Sequence, residues 1–341
     1  MNNPLGILAG VLVCSVTLPV FLTVVSYNDI EINTTQKQEQ QIHKENLSKY
    51  INYEVIDKDS PKINMYNHKT GKIQKIDIEE YLCGVLSGEM PSDFNIEALK
   101  AQAVAARTYV IYNQENGSSK HKDSPVCTDY THCQEYKDEK ELKKLKGEDW
   151  IKNSYPKIKQ AVNETKGHVI TYDGEPILPL YFSTSSGKTE NSEEVFSTEY
   201  PYLRSVDSSY DKYAPKYAST LKISNKDFVA KLKKVYANIN INEANLSSQV
   251  KIVSRSDGGS VNKIKLGDKE LTGRDVRSIL NLNSSNFEIK FDTNSLDFIV
   301  KGYGHGVGMS QWGAEGMAEE GYKYYEILSH YYSDTTIKDM Y

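Results

Sequence analysis

Chemistry-bearing residues gather in a few short stretches. In GEMPSDFNIEALKAQAVAARTY, residues 88–109, an acid, Glu89, stands immediately before Met-Pro. Asp77 and Glu80 make a capping-box-like start, and Ile78, Leu82 and Val85 mark an apolar stripe at helical spacing whose next step is Glu89. Pro91 must end that helix, because the residue before a proline avoids the α region. A carboxyl at the buried end of a helix loses solvation, which raises its pKa and keeps it partly protonated near neutrality. That is the state a general acid needs. A surface or capping glutamate is the plainer alternative.

A second group is His121, Cys127, His132 and Cys133 in KHKDSPVCTDYTHC. Two thiolates and two imidazoles in a loop of this size suit a tetrahedral zinc ion, although the spacing is not that of a zinc finger. A Cys127–Cys133 disulfide and a pair of free thiols are the competing readings. Four ligands would close the site and make it structural; three would leave an open position for hydrolytic chemistry. Cys83, inside an apolar helical pattern, reads as a core residue.

Two further loops are polar. KGYGHGVGMSQWGAEG, residues 301–316, has glycines that admit close backbone approach, then Ser310 opening a helix. It lacks both the phosphate-loop and the dinucleotide patterns. Tyr303, His305, Gln311 and Trp312 offer hydrogen-bonding and stacking groups suited to a glycan groove; a tight turn with His305 bonded to backbone is the plainer alternative. YFSTSSGKTENSEEVF, residues 181–196, presents hydroxyls and the ammonium of Lys188 to a polar ligand or to solvent.

These residues need a scaffold of some size, and 341 residues supply it. A net charge of −5 with no basic patch gives no reason to expect a nucleic-acid partner. The 25 tyrosines are amphipathic plates suited to sugars or to a core. From Leu5 to Ser26 no residue is charged, which predicts a transmembrane anchor over 1–28, followed by a polar stalk over 29–50 and one large domain over 51–341. A short tail inside and the domain outside is the expected orientation.

Within 51–341 the pattern predicts a strand-turn-strand lead-in over 51–76, the helix ending at Glu89, and a second helix over about 95–112. That second helix is apolar almost all round, so it is buried, and Arg107 within it must find an anionic partner or ligand. Residues 113–165 read as a polar excursion. Residues 168–187 return to strands with a DG turn, and short strands mix with helices from 220 to 300. The fold class is α+β, with mixed helices and short antiparallel strands around a glycan-binding cleft; irregular alternation excludes a doubly wound or barrel fold.

Taken in order, GEMP, EALKAQAVAARTY, THCQEY, STSSGKTENSEEVF, YLRSV, GRDVR and GYGHGVGMSQWGA resemble the stage II sporulation protein D family. The resemblance implies a membrane-anchored, extracytoplasmic lytic transglycosylase of peptidoglycan in sporulation engulfment. It implies Glu89 as the catalytic acid and Arg107, Lys188, Tyr303 and His305 as glycan-positioning residues. It also implies structural zinc at His121, Cys127, His132 and Cys133, with no metal in the chemical step. Expected partners are glycan strands stripped of stem peptides, a cell-wall amidase and a membrane-embedded third protein. A non-catalytic, glycan-binding amidase activator and a zinc hydrolase are the rival expectations.

Overall fold

The lead-in hairpin pairs Lys62–Asn67 with Lys72–Asp77, from Lys62 opposite Asp77 to Asn67 opposite Lys72. Asp77 ends the second strand and caps the next helix, its side chain accepting from the Glu79 and Glu80 N–H groups. That helix, Ile78–Glu89, buries Ile78, Tyr81, Leu82, Val85 and Leu86 completely. Each such side chain stabilises the fold by roughly 1.5–3 kcal/mol. It stops where Pro91 forces Met90 into extended backbone, φ −125° and ψ 147°.

This computed structural model describes residues 51–52, 59–117, 121 and 123–341. The expected anchor and stalk lie outside the described residues. Among the described residues no helix is long and apolar enough to cross a membrane.

Asn95 caps the second helix by accepting from the Glu97 N–H at 3.0 Å. It runs Ile96–Asn116, a turn beyond the expected end. Ala98, Leu99, Ala101, Val104, Ala105 and Val110 are fully buried, because helices Tyr155–Asn163, Gln311–Glu319 and Tyr324–Tyr331 and the strand His168–Tyr172 all pack on it. The expected polar excursion holds, among its described residues beyond Asn116, the helices Glu139–Lys146, Glu148–Asn153 and Tyr155–Asn163. Their fully buried apolar side chains form a narrow stripe, Leu142, Ile158, Ala161 and Val162, while Leu145 lies out in solvent. Asp173 and Gly174, with φ of 50° and 90°, make the DG turn between His168–Tyr172 and Glu175–Pro176.

Not every strand pair is antiparallel. Among the described residues three pairs are parallel: Ile51–Asn52 with Thr336–Asp339, Lys62–Asn67 with Val126–Cys127, and Tyr181–Phe182 with Met309–Ser310. The C-terminal strand also pairs antiparallel with His168–Tyr172, bringing distant parts of the chain into one sheet.

Residues 218–301 build a second hydrophobic core. Strand Ser295–Lys301 lies between Phe287–Phe291 and Ala218–Ser224, and Val261–Leu266 lies between Lys269–Thr272 and Val250–Arg255, all antiparallel. Phe228, Leu232, Ile264, Phe287, Leu296 and Phe298 fill this core. The turn at 256–260 seats it against the loop after Phe182: the Ser260 N–H donates to Glu190 Oε1 at 3.1 Å. A Cβ at Gly258 would stand 2.4 Å from the Glu190 carboxyl carbon, so this approach requires glycine.

Candidate active site

Glu89 is the last residue of its helix and is half-buried at one wall of a cleft of about 800 Å³. Its Oε1 accepts from the Glu135 backbone N–H at 2.7 Å, and Gln311 Nε2 stands 3.4 Å from Oε2. Burial pushes the Glu89 carboxyl above the usual carboxylate range; the Glu135 N–H and Gln311 pull it back, and the Glu135 charge pushes it up. Glu135 is the other carboxylate lining the cleft, and it is paired with Lys137.

The opposite wall is the glycine-rich loop laced to residues 180–190. Tyr303 and Thr184 exchange backbone hydrogen bonds of 2.7 and 3.0 Å, the Glu190 N–H donates to the Gly306 carbonyl at 2.8 Å, and Met309–Ser310 runs beside Tyr181–Phe182. Gly308 has φ +77°, and a Cβ there would meet the Leu180 carbonyl oxygen at 2.0 Å, so no side chain fits. Tyr303, Phe182 and Phe196 give the cleft aromatic walls. Such faces match the apolar faces of sugar rings.

Both ring nitrogens of His305, which lines the cleft, are engaged with backbone. Nε2 donates to the Tyr181 carbonyl at 3.0 Å, and Nδ1 accepts from the Val307 N–H at 3.1 Å. Burial holds its pKa down to about 4, so the ring is neutral and works as a brace for the loop. Trp312 packs edge-on against Phe94, with ring centroids 4.7 Å apart, and does not line the cleft.

Asp211 braces the same wall from behind. Fully buried, it accepts from the Ser185 N–H at 2.8 Å, from Ser208 Oγ at 2.6 Å and from Ser310 Oγ. Ser310 in turn caps the helix that begins at Gln311, accepting from the Gly313 N–H at 3.2 Å. Burial raises the Asp211 pKa to about 6.

The expectation that Arg107 meets a glycan is not met by its surroundings. It has no exposed surface, and its Nε and Nη2 form a two-point bond with Glu79 at 2.9 and 2.6 Å. Its remaining bonds go to the His168 and Val162 carbonyls at 3.1 and 3.3 Å. Glu79 also accepts from Tyr341 Oη at 2.7 Å. The guanidinium is therefore a buried tie between the first two helices and the C-terminal sheet. Lys188 is exposed and does not line the cleft; the lysine that does is Lys216, whose ammonium stands 4.5 Å from the Tyr303 ring centre.

The four Cys and His residues converge, with one ligand atom from each lying within 4.8 Å of all the others. His121 Nε2 is 3.3 Å from Cys133 Sγ, and Cys127 Sγ is 3.8 Å from His132 Nδ1. Cys127 and Cys133 are free thiols, not a disulfide. Outer contacts suit a metal centre: His121 Nδ1 donates to the Ser124 carbonyl at 2.6 Å, leaving Nε2 unprotonated, and the Asp129 N–H donates to Cys127 Sγ at 3.3 Å. The S₂N₂ donor set and this spacing fit a tetrahedral ion such as zinc. His132 and Cys133 also line the cleft, three and two residues before the Glu135 amide that holds Glu89.

Sequence reasoning missed Glu135, Asp211 and Lys216. The first acts through a backbone amide, Asp211 sits in a single 3₁₀ turn, Ser209–Tyr213, and Lys216 in the loop that follows it, all too short to show periodicity, so only the pattern around Gln311 carried a signal.

The sequence model of the family described as "Stage II sporulation protein" matches residues 66–172. The chain is 39% identical over 284 residues to "Stage II sporulation protein D" of Bacillus amyloliquefaciens, covering 83% of this chain and 80% of that protein. With the protein of the same name in Bacillus subtilis (strain 168) it shares 38% over 278 residues, 81% of this chain and 79% of the relative. It is also 31% identical over 306 residues to the "Amidase enhancer" of Bacillus subtilis (strain 168), covering 75% of this chain and 40% of that protein.

Proposed function

The chain belongs to the stage II sporulation protein D family, and from that premise we propose that it is a lytic transglycosylase cleaving peptidoglycan glycan strands, with Glu89 as its general acid and base. One observation carries the reading: a partly desolvated carboxyl with raised pKa lines an aromatic-walled cleft, and the cleft's second carboxylate is already paired with Lys137.

The chemistry follows from that arrangement. Protonated Glu89 gives its proton to the glycosidic oxygen as the bond to C1 breaks. The carboxylate left behind is held by the Glu135 N–H and Gln311, which stabilise the charge it has just acquired. The same carboxylate takes the proton of the muramic 6-hydroxyl as that oxygen attacks C1. The proton returns to Glu89, a 1,6-anhydromuramic end forms, and no water is consumed. A hydrolase would instead use a second carboxylate as base or nucleophile. Tyr303, Phe182 and Phe196 would hold sugar rings over the acid, with His305 fixing the loop.

Zinc held by His121, Cys127, His132 and Cys133 would supply a cross-link, since four protein ligands leave no open position for substrate. The loop it ties is the one that presents the Glu135 N–H. The expected setting is extracytoplasmic, with residues 1–28 as anchor. The partners are those the family implies: a cell-wall amidase and a membrane-embedded third protein. Likeness to a protein named amidase enhancer supports the amidase partnership.

That likeness also favours the second reading, a glycan-binding activator without catalysis. The separating experiment gives purified denuded glycan to the wild-type chain and to Glu89→Gln. Loss of anhydro-ended products by roughly a hundred- to ten-thousand-fold in the variant supports the enzyme. Product formation that does not depend on Glu89 defeats the assignment, and no product from either chain leaves the activator.

A further inference from the structure

The two oxygens of Glu89 are held unequally. Oε1 accepts from the Glu135 N–H at 2.7 Å, a donor fixed by the backbone. Oε2 faces Gln311 Nε2 at 3.4 Å, and that donor belongs to a side-chain amide, whose two ends match in shape and differ in charge. Turned the other way, the amide would set its oxygen against the carboxylate. The orientation of Gln311 therefore depends on what lies on its other side.

Gln102 lies there, with Oε1 3.5 Å from the same Gln311 nitrogen. It stands in helix Ile96–Asn116 and has no exposed surface. Helix Gln311–Glu319 packs on that helix, and the fully buried Ala98, Ala105 and Ala106, a turn either side of Gln102, leave room for the approach. One NH₂ group thus has two acceptors, Glu89 Oε2 and Gln102 Oε1. Both contacts are long, as those around a catalytic acid often are before substrate tightens them.

The other end of Gln102 is unprovided for. Its Nε2 is buried and, among the described residues, has no hydrogen-bond partner. An unpaired buried donor is unfavourable, and a methionine of similar length would fill the same space without one. Packing therefore gives no reason for an amide at this position. Its oxygen does, because an acceptor beside Gln311 leaves that side chain one favourable orientation, nitrogen toward the acid.

We propose that Gln102 is a positioning residue of this site, fixing the Gln311 amide so that an N–H, and not the carbonyl oxygen, faces Glu89 Oε2. This rests on the reading of Glu89 as the acid. Gln102 does not line the cleft, so it acts through Gln311. Its effect falls on the step in which Glu89 gives up its proton, since the charge appearing on the carboxylate needs a donor already in place. Glycan binding, which uses the aromatic walls, does not depend on it.

The test measures kcat and KM for formation of anhydro ends from denuded glycan, with a thermal melt of each chain. The chains are full-length wild type, Gln102→Met, Gln311→Met and the double variant, with Gln102→Leu as a second apolar replacement should the methionine chain fail to fold. Gln102→Met is expected to lower kcat about tenfold while KM stays within about twofold. It should melt no lower than wild type, because the unpaired donor is gone. Introduced into Gln311→Met, the same change should lower kcat no further. A kcat unchanged by Gln102→Met overturns the proposal. So does a loss that recurs in full without Gln311, or one that only tracks a fall in melting temperature, which is what a structural role would give. A wild-type chain that yields no anhydro ends removes the reading of Glu89 and this inference with it, whereas cleavage indifferent to Gln102 removes this inference alone.

Discussion

The Glu135 backbone N–H donates to Glu89 Oε1 at 2.7 Å, and Glu135 follows Cys133 by two residues. The setting of the acid is thus tied to the fold of the Cys/His loop. A loop this short in regular structure holds its shape through side-chain ties, and a metal would be the strongest of them.

Removing the metal should therefore act on stability and on the acid together. Elemental analysis of the purified chain is expected to give one zinc per molecule, lost in Cys133→Ser. Chelation should lower the melting temperature by about 5 °C and reduce turnover more than glycan affinity. A metal-free chain with unchanged melting and activity would contradict this.

The raised Glu89 pKa makes a prediction about stability against pH. The folded chain keeps this proton at pH values where the unfolded chain has lost it, so stability falls as pH rises through that window. The window opens at the ordinary carboxylate value and closes at the raised one. Glu89→Gln should therefore melt higher than wild type at neutral pH, by on the order of 2 °C, with the gap closing in acid. Activity should fall on the alkaline side, with an apparent pKa above the ordinary carboxylate value. Thermal melts and rate profiles across pH check both halves.

Arg107 and Glu79 are predicted to matter for the fold. Arg107→Ala or Glu79→Ala leaves a buried charge alone and should cost about 3–5 kcal/mol. The double change should cost less than the sum of the two single ones. Denaturant melts measure this. A large loss of glycan affinity in Arg107→Ala without loss of stability would restore a substrate role.

Asp211→Ala strips acceptors from the Ser185 N–H and from the Ser208 and Ser310 hydroxyls, so it should destabilise the chain by about 3 kcal/mol. Asp211→Asn, which keeps an acceptor, should cost less. With a folded pKa of about 6, above the ordinary carboxylate value, Asp211 makes wild-type stability fall as pH rises between those two values. The Asn variant should lack that slope in pH-dependent denaturation.

Much of the scaffold around Glu89 was legible in the sequence for a definite reason. A stripe at helical spacing and a proline fix where that helix ends and which way its last side chain turns, and both signals are local. The Asp77 cap and the DG turn at 173–174 are local in the same sense. What failed to show was non-local or weak. The helices of 139–163 bury only a few apolar side chains among many lysines and glutamates, so their stripe is faint. That Arg107 is buried followed from its apolar helix, but its partner Glu79 did not, because Glu79 meets it only when two helices pack. Parallel pairing of the last strand with residues 51–52 joins distant parts of the chain, and no local pattern announces it. Lys188 and Lys216 are both loop lysines; only the folded loops decide which one reaches Tyr303.

The central claim is that one carboxylate, Glu89, breaks the strand by internal attack of a sugar hydroxyl. The most direct measurement digests denuded glycan in heavy-oxygen water and weighs the new ends. The account predicts ends lighter by one water than a reducing sugar, carrying no heavy oxygen and absent with Glu89→Gln. Reducing ends that carry the label, formed with Glu135 as the second required carboxylate, would contradict it.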